Sequence, residues 1–548
     1  LEVAAHHPWG YTMLGHRHTL LPLTVVGMAA ISASTKTDLK NVLFFISDDL
    51  RPEMFEAYGQ KQMITPNLDK LAKTAAVFNR AYCQQAICGP TRNSFLSGRR
   101  PQRTKSWNFI DHFREDGVGA DWMSLPGYFK DNGYTSLGGG KTYHPNLPPN
   151  NDGNKSWSMG PGVPAYVNNG DRGCTSDYFP KGAKSEVCPD NSKNLSQFSD
   201  YGNLEGMISS LRYASDVAKS KGTPFFLNYG IHKPHLPFHF PAEFGGENIW
   251  EKYGPLDEIA LPLNEAGPKG MPPIAFTYEM DGKTEVCAFG DCHPIPGPDQ
   301  GRVCSFCGPK LPDNVTRTMR KGYYSAVSWV DFLIGTMLAE VDALGHTDDT
   351  VIALVGDHGW QLGEHNIWGK HSNFELGTRV PLFIRAAGQT TPVRSNSLVE
   401  SVDIYPTLAA LAGLAPPPDV DGYDLTGLWK DPTSVIKPYS FSEYPRCAPP
   451  DAAWQDTTSC VHTQRTNFTI MGYSVRSDEW RATFWMWWDG NNLVGDFSRD
   501  PAAVELYSHQ GDTEGDFDTY ENVNIAHANP DVVQEMLAVA KGQWSKRT

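Results

Sequence analysis

The stretch that decides the fold is Asn41-Val-Leu-Phe-Phe-Ile-Ser-Asp-Asp49 (residues 41–49). Its first six residues, NVLFFI, form a continuous apolar run, which is typical of a strand buried on both faces. The run leads directly into Asp48 and Asp49. Open α/β sheets bind ligands beyond the carboxyl ends of their strands. The stretch therefore predicts a central strand that delivers two carboxylates to a ligand-binding edge.

Further strands and helices can be predicted along the chain. Residues 224–229, 351–355 (VIALV) and 380–385 read as further strands, and residues 67–79 and 320–344 read as helices. Strands that alternate with helices indicate a large, mainly parallel sheet flanked by helices. We therefore predict an α/β fold.

The chain is too long, at 548 residues, for one ordinary core. Proline and glycine accumulate at 415–438, and short aromatic strands follow at 473–475, 480–487 and 505–507, with a closing helix at 530–541. We predict a catalytic α/β domain over 39–435 and a smaller α+β domain over 436–548.

The first 34 residues read as a leader and signal peptide. Arg17 precedes an apolar run over 20–31, and small residues follow at 32–34. An internal core helix at 19–31 is the alternative. The run is short for a membrane span, and no other segment of the sequence offers one.

Other features favour the secretory pathway, with a secreted or a lysosomal or vacuolar protein as the outcome. Glycosylation sequons occur at Asn154, Asn194, Asn314 and Asn467. Most of the ten cysteines lie in close pairs, as expected of disulfides: Cys174 with Cys188, Cys447 with Cys460, and the group Cys287, Cys292, Cys304 and Cys307. Half of a zinc site at Cys304 and Cys307 is the alternative. The net charge of −15 argues against a nucleic-acid partner.

A metal site is predicted where two strands end. Asp48 and Asp49 follow the first strand, and Asp357 and His358 follow the strand at 351–355 after one glycine. Three converging carboxylates repel one another unless a cation lies among them, and oxygen ligands favour Ca²⁺ or Mg²⁺. Two solvated turns are the alternative.

Cys88 lies at the predicted start of another helix. Pro90 suits the first turn of a helix, and Gly98 suits its end. A helix N-terminus favours an anion. From the residues alone, Cys88 is an activated thiol or the disulfide partner of Cys83.

The signature C-x-P-S/T-R followed by x3-L-S/T-G stands here as Cys88 to Gly98. It resembles the signature of type I sulfatases, in which the cysteine becomes formylglycine during export. The segments SDDLRP (47–52), GKTYHP (140–145), HKPHLPF (232–238) and DHGWQLGEHNIWGKHSNF (357–374) most resemble the iduronate-2-sulfatase group of that family. The cysteine-rich insert at 284–310 departs from that group.

The resemblance implies an alkaline-phosphatase-like sulfatase fold and a set of roles. A formylglycine-generating enzyme would modify Cys88, and the hydrated aldehyde would attack the sulfur of a sulfated glycan. Asp48, Asp49, Asp357, His358 and modified Cys88 would ligate Ca²⁺. Arg92 would hold the formylglycine, and Lys141, His144, His235 and Lys370 would surround the sulfate. On chemical grounds, an imidazole such as His235 can protonate the leaving oxygen. A uronate carboxylate needs a cation and a donor beside the sulfate, and Lys370 with Trp360 can serve.

Three alternatives stay open beside an iduronate-2-sulfatase-like activity. Two of them are a sulfatase for another sulfated glycan, such as an algal polysaccharide, and a secreted glycan-binding pseudoenzyme. A metal-dependent phosphatase or phosphodiesterase of the same superfold would normally place Ser or Thr at position 88 and need more metal ligands.

Overall fold

The computed structural model describes residues 39–160, 164–169, 187–276, 312–415, 417, 419–447, 460–512 and 520–545. The predicted leader at 1–34 and the cysteine-rich insert at 284–310 lie outside the described residues.

Strands and helices are numbered in chain order. The strands are β1 Asn41–Asp48, β2 Ala76–Tyr82, β3 Thr135–Gly140, β4 Tyr166–Val167, β5 Val187–Asp190, β6 Phe225–Pro234, β7 Phe238–Pro241, β8 Glu243–Phe244, β9 Glu247–Asn248, β10 Thr350–Gly356, β11 Gln361–Leu362, β12 Trp368–Gly369, β13 Arg379–Arg385, β14 Val393–Ser395, β15 Val399–Glu400, β16 Ser440–Arg446, β17 Ile470–Arg476, β18 Trp480–Asp489, β19 Val494–Gly495 and β20 Ala503–Ser508. The helices are α1 Phe55–Tyr58, α2 Pro66–Ala72, α3 Cys88–Ser97, α4 Pro101–Thr104, α5 Leu125–Asp131, α6 Gly153–Ser156, α7 Ser199–Lys221, α8 Ile249–Lys252, α9 Asp313–Ala343, α10 Glu375–Thr378, α11 Ile404–Leu411 and α12 Pro530–Trp544.

The large sheet has the strand order β14-β2-β13-β10-β1-β6-β3-β4, and β15 also pairs with β2. β1 lies between β10 and β6 and runs parallel to both. Ser47 of β1 pairs with Gly356 of β10, so the two strands end side by side. β13 is antiparallel to both of its neighbours, β10 and β2. The sheet is therefore mixed but mostly parallel, as predicted.

The continuous apolar run of β1 has a direct explanation. Leu43 and Phe45 join a core cluster with α7 and α9 on one face of the sheet. Val42, Phe44 and Ile46 join a second cluster with α3, α5 and α11 on the other face. Because helices cover both faces, both sets of alternating side chains are buried.

The predicted strands at 224–229, 351–355 and 380–385 are confirmed as β6, β10 and β13. The helix predicted at 320–344 is confirmed by α9, which begins earlier, at Asp313, and ends at Ala343. The helix predicted at 67–79 is wrong in its second half, because α2 ends at Ala72 and Ala76 begins β2. The sequence AVF at 76–78 is a continuous apolar run without helical periodicity. Its residues are buried on both faces of the sheet, which is a strand environment.

A second sheet follows along the chain. Its antiparallel strands have the order β16-β17-β18-β19, and β20 pairs with β18. These strands confirm the predicted segments at 473–475, 480–487 and 505–507, and α12 confirms the closing helix. The Trp544 ring of α12 packs on Tyr473 of β17 with centroids 4.5 Å apart. The helix therefore closes one face of this sheet.

The described cysteines settle two expectations. Cys447 and Cys460 form the predicted disulfide. Cys188 is disulfide-bonded, and its expected partner Cys174 lies outside the described residues. Cys83 and Cys88 are both free and buried, so the alternative of a bridge between them is wrong. Among the described helices, none has both the length and the apolar character needed to cross a membrane.

Candidate active site

The two strand ends bring three carboxylates together. Asp48 closes β1, and Asp357 follows β10 directly. The backbone amides of Asp49 and His358 donate to Asp357 Oδ1 over 3.1 Å and 2.9 Å. Asp49 has a positive φ of 62°, a conformation that aspartate tolerates better than most residues. The chain therefore turns sharply here and keeps its carboxylates beside those of the neighbouring strand.

Cys88 is the first residue of α3 and faces these carboxylates. Its Sγ lies 3.1 Å from Asp48 Oδ1 and 3.3 Å from His358 Nε2. Ligand atoms of Asp48, Asp49, Cys88 and His358 all lie within 4.8 Å of one another. α3 ends at Gly98, whose φ of 70° forms the left-handed cap that glycine favours. Burial raises the pKa of the Cys88 thiol, so the unmodified side chain is a weak nucleophile.

The tautomer of His358 leaves a nitrogen lone pair that a cation could use. Its Nδ1 lies 3.0 Å from the Gly359 carbonyl oxygen, so Nδ1 carries the proton and donates. Burial and the charge of Lys370 hold the His358 pKa well below its usual value, so the ring is neutral. Its Nε2 lone pair then faces Asp49 Oδ1 and Asp357 Oδ1, each at 3.4 Å. A bound cation would relieve this repulsion.

Three cationic side chains complete the cluster. Lys141 forms an ion pair with Asp48, and Arg92 Nε donates to Asp357 Oδ2 over 2.9 Å. Lys370 Nζ lies 2.7 Å from Asp49 Oδ1 and 3.3 Å from Cys88 Sγ. These cations stand beside the sulfur of Cys88, where an anionic substrate group would be held.

The buried carboxylates could hold a metal ion. Burial raises the pKa of Asp49 to about 7 and that of Asp357 to about 8. Burial acts in the same direction on Asp48, but Lys141 and Arg92 hold its pKa well below the usual range. Asp49 Oδ2 is buried and has no hydrogen-bond partner among the described residues. An orphaned buried oxygen beside two other carboxylates fits a hard cation such as Ca²⁺.

His235 joins the cluster from β6 and the turn that follows it. Its ring stacks on His232 with centroids 4.8 Å apart, and both rings lie near Asp48. The distance of 2.6 Å between His235 Nδ1 and the Leu236 carbonyl oxygen assigns the proton to Nδ1 and leaves Nε2 free to interact. The Asp200 carboxylate accepts the backbone N–H groups of His232 and Lys233 over 2.8 Å and 3.0 Å.

His144 and Trp360 lie at the margin of the cluster. His144 stacks on Phe109, and burial together with Lys141 lowers its pKa to about 3. Trp360 is buried, and Lys370 Nζ lies 5.4 Å from its ring centroid. Trp360 thus lies against Lys370 within the protein.

The structure brings the predicted site residues close together. Two further residues beside them, Asp200 and Phe109, could not be predicted from the sequence. Asp200 carries no motif, because its role depends on a loop contact with residues 32 and 33 positions later. Phe109 looks like an ordinary apolar residue, since its partner His144 belongs to another loop.

Known proteins resemble this chain both in sequence and in structure. A family model described as Sulfatase matches residues 40–414. The chain is 32% identical to iduronate 2-sulfatase of Mus musculus over 90% of this chain and 93% of that protein. Among solved structures, phosphonate monoester hydrolase from Silicibacter pomeroyi superposes with a TM-score of 0.62 and 21% identity, covering 91% of this chain and 94% of the other. A second protein, solved in complex with its substrate D-glucosamine-2-N,6-O-disulfate, superposes with a TM-score of 0.63 and 16% identity, covering 92% of this chain and 98% of the other.

Proposed function

Because this chain belongs to the sulfatase family and is a sulfuric ester hydrolase, we propose that it removes sulfate from a glycan of the iduronate-2-sulfate type. The observation that carries the proposal is the position of Cys88, whose Sγ lies within 3.3 Å of both Asp48 and Lys370. The expected alkaline-phosphatase-like sulfatase fold is that of the structural neighbours.

The residues fit both groups that the family uses. Calcium, held by Asp48, Asp49, Asp357 and His358 with an oxygen at modified Cys88, would polarise the sulfuryl group. Formylglycine made from Cys88 would supply the oxygen nucleophile as its hydrate.

The cations of the chain bind the substrate and stabilise the charge that develops on it. Lys141 and Lys370 approach Cys88 Sγ to 3.9 Å and 3.3 Å, so they flank the place where the sulfate would meet the nucleophile. Arg92 orients Asp357 through Nε and would hold the modified Cys88. Fixed donors in a buried site stabilise a developing negative charge by a few kcal/mol each, because they need no reorganisation.

His235 protonates the leaving sugar oxygen. Its Nδ1–H is committed to the Leu236 carbonyl, so the proton is delivered from Nε2. Burial and Lys370 lower the pKa of this histidine, and a bound sulfate would raise it again by adding negative charge. Proton transfer is therefore favoured only when substrate is present.

The iduronate-type substrate is supported by the similarity to iduronate 2-sulfatase and by one pair of residues. Lys370 supplies a cation for a uronate carboxylate. The Trp360 ring, whose centroid lies 5.4 Å from Lys370 Nζ, packs beside that cation. A sulfatase for another sulfated glycan, such as an algal polysaccharide, is the second candidate, since neither residue is unique to uronate. The intact cluster argues against a pseudoenzyme, and Cys88 argues against a phosphatase, which would normally carry Ser or Thr there.

Export is part of the proposal. All four sequon asparagines, Asn154, Asn194, Asn314 and Asn467, are exposed, and the Cys447–Cys460 disulfide suits an oxidising compartment. We infer a secreted or lysosomal protein that meets the formylglycine-generating enzyme during synthesis. Its catalytic domain would span 39–435, and the smaller domain would span 436–548.

The deciding experiment has two arms. Peptide mass spectrometry of protein made with the converting enzyme should show formylglycine at position 88. A desulfation screen against heparan, dermatan and algal oligosaccharides should then show release of 2-O-sulfate from terminal iduronate. Activity restricted to algal substrates would favour the second candidate, and a stoichiometric thiol at Cys88 in active protein would overturn the mechanism.

A further inference from the structure

Phe109 contacts the candidate active site on two sides. Its ring stacks on His144 with centroids 4.2 Å and planes 17° apart. The same ring lies so close to Gly89, the residue after Cys88, that a methyl group there would meet Phe109 Cδ1 at 3.0 Å. Phe109 therefore packs against the start of α3 and against the loop that carries His144.

The position of Phe109 is set by a distant part of the chain. Its backbone N–H donates to the Val461 carbonyl over 2.7 Å, and Asn108 Nδ2 donates to the Thr463 carbonyl over 2.8 Å. Val461 follows Cys460, which is bridged to Cys447. This C-terminal segment, residues 460–463, thus clamps Phe109 from outside the large sheet.

His144 is left with an unused polar atom. Its Nδ1 is buried and has no hydrogen-bond partner among the described residues. A buried unpaired nitrogen is costly unless a ligand meets it. Because Phe109 covers one face of the ring, the stacking fixes the plane in which Nδ1 lies.

We propose that Phe109 is a positioning residue for His144: held by the segment 460–463, its ring orients the imidazole toward the bound sulfate ester. The inference rests on the proposed function, since it takes the sulfate ester as the ligand. On this proposal the effect of Phe109 passes through His144, and its contact with Gly89 beside Cys88 is the competing route.

The primary test is Phe109→Leu, which removes the ring but keeps apolar volume. We expect kcat/KM on a small aryl sulfate to fall at least about tenfold, since small displacements of positioned groups cost one to two orders of magnitude. Phe109→Tyr keeps the stack and should stay within about twofold of the wild type. Phe497→Leu is the matched control. The Phe497 ring also stacks on an aromatic ring, that of Tyr473, with centroids 5.5 Å and planes 20° apart, but this pair lies away from the site. Wild-type kcat/KM in Phe109→Leu would overturn the proposal.

A double-mutant cycle separates positioning from general packing. In a His144→Ala background, Phe109→Leu should cause no further loss, because the residue through which it acts is absent. The double variant Cys447→Ser/Cys460→Ser removes the disulfide that anchors the segment 460–463. It should lose activity, and in the His144→Ala background it should cause no further loss. Additive losses in the His144→Ala background would show that Phe109 acts elsewhere and would overturn the proposal.

Binding of inorganic sulfate separates this inference from the proposed function. If the wild type hydrolyses no sulfate ester, the proposed function fails, but the orientation of His144 can still be measured. Calorimetric affinity for inorganic sulfate should be several-fold weaker in Phe109→Leu than in the wild type and in Phe497→Leu. Equal affinities in all three proteins would overturn the positioning role.

Discussion

At the scale of single residues, the chemistry depends on side chains that are costly to bury alone. Cys88, Asp48 and Lys370 are all buried, and each lies within 3.3 Å of a chemically complementary neighbour. A buried charge persists only when it is paired or bound to a ligand. The cluster is thus a candidate binding site whose charged side chains depend on one another.

Removing the nucleophile tests the residue scale most directly. Cys88→Ala should lower kcat by roughly 10³-fold or more, as the loss of a covalent nucleophile does in other enzymes. The fold should persist, because residue 88 supplies the nucleophile and little apolar packing. Activity with a chromogenic aryl sulfate and the thermal unfolding midpoint are the two measurements. A variant with a wild-type rate would assign the nucleophile elsewhere.

The role of His235 is tested by the quality of the leaving group. His235→Ala should lower kcat by about 10²–10⁴-fold on a sugar sulfate, whose alkoxide needs a proton. The loss should be much smaller on an activated aryl sulfate, because a phenolate leaves with little help. Paired kcat measurements on the two substrates decide the matter. Equal losses would mean that His235 binds sulfate, and the acid would then be Lys370 or His144.

At the scale of elements, the site is made by the ends of neighbouring strands. β1 and β10 run parallel in register, so Asp48, Asp49 and Asp357 emerge at one edge of the sheet. α3 then directs its N-terminus at the same edge and adds Cys88. Because both strands and the helix are buried, the candidate ligand atoms are held in place by packing.

The strand-end carboxylates should control metal content. Asp357→Asn should reduce bound calcium and activity together, since it removes one anionic ligand of a hard cation. Asp331→Asn is the matched control, because Asp331 is also buried but bonds to Asn67 and to the Leu68 backbone, away from the site. Elemental analysis after dialysis against calcium, together with kcat, makes the comparison. Stoichiometric calcium in Asp357→Asn would contradict the ligand assignment.

At the scale of the whole molecule, a buried ionic network joins the two sheets. Glu375 of α10 accepts from Arg481 Nη2 at 2.5 Å, from Arg476 Nε at 3.3 Å and from the Tyr82 hydroxyl at 2.8 Å. His509 lies between Asp512 and Glu521, with one ring nitrogen 2.9 Å and the other 3.0 Å from a carboxylate oxygen. The network connects β2 of the large sheet to β17 and β18 of the smaller one.

Breaking this network should destabilise the protein. Glu375→Gln should lower the free energy of unfolding by about 3–5 kcal/mol, because Arg476 and Arg481 lose a buried counter-charge. Burial acts to raise the Glu375 pKa, but the two arginines hold it well below the usual value. Its contribution is therefore present above the unfolded-state pKa of 4.5 and is lost as the pH falls through the lower folded-state pKa. Denaturant unfolding of the variant near pH 7 measures the loss, and an unchanged midpoint would contradict it.

Glu505→Gln provides the contrasting case in the same sheet. Glu505 accepts from Trp485 Nε1 and from the Tyr507 hydroxyl, and burial raises its pKa to about 7. A raised folded-state pKa favours folding below the unfolded value of 4.5 and costs stability as the pH rises toward 7. Relative to the wild type, Glu505→Gln should therefore gain roughly 3 kcal/mol between pH 4 and pH 8. Parallel pH profiles for the two proteins would refute this.

The sequence by itself determined the central strands, the metal-site prediction and the signature around Cys88. Continuous apolar runs indicate burial on both faces of a sheet, and the polar pairs after β1 and β10 indicate the candidate ligand edge. Both signals lie within a few consecutive residues. A sulfatase signature is local as well, since it is contained in one helix and its start. These features could be read because each depends on residues that are neighbours in the chain.

Only the tertiary structure decided the remainder. The segment 76–82 became a strand because the sheet supplied partners on both of its sides. β13 runs antiparallel to both of its neighbours, and its own sequence gives no signal for that direction. Asp200, Phe109 and Glu375 gained their roles from partners on other loops and strands. Such contacts depend on how the chain returns to the same place in space, and side-chain spacing along the sequence carries no signal for them.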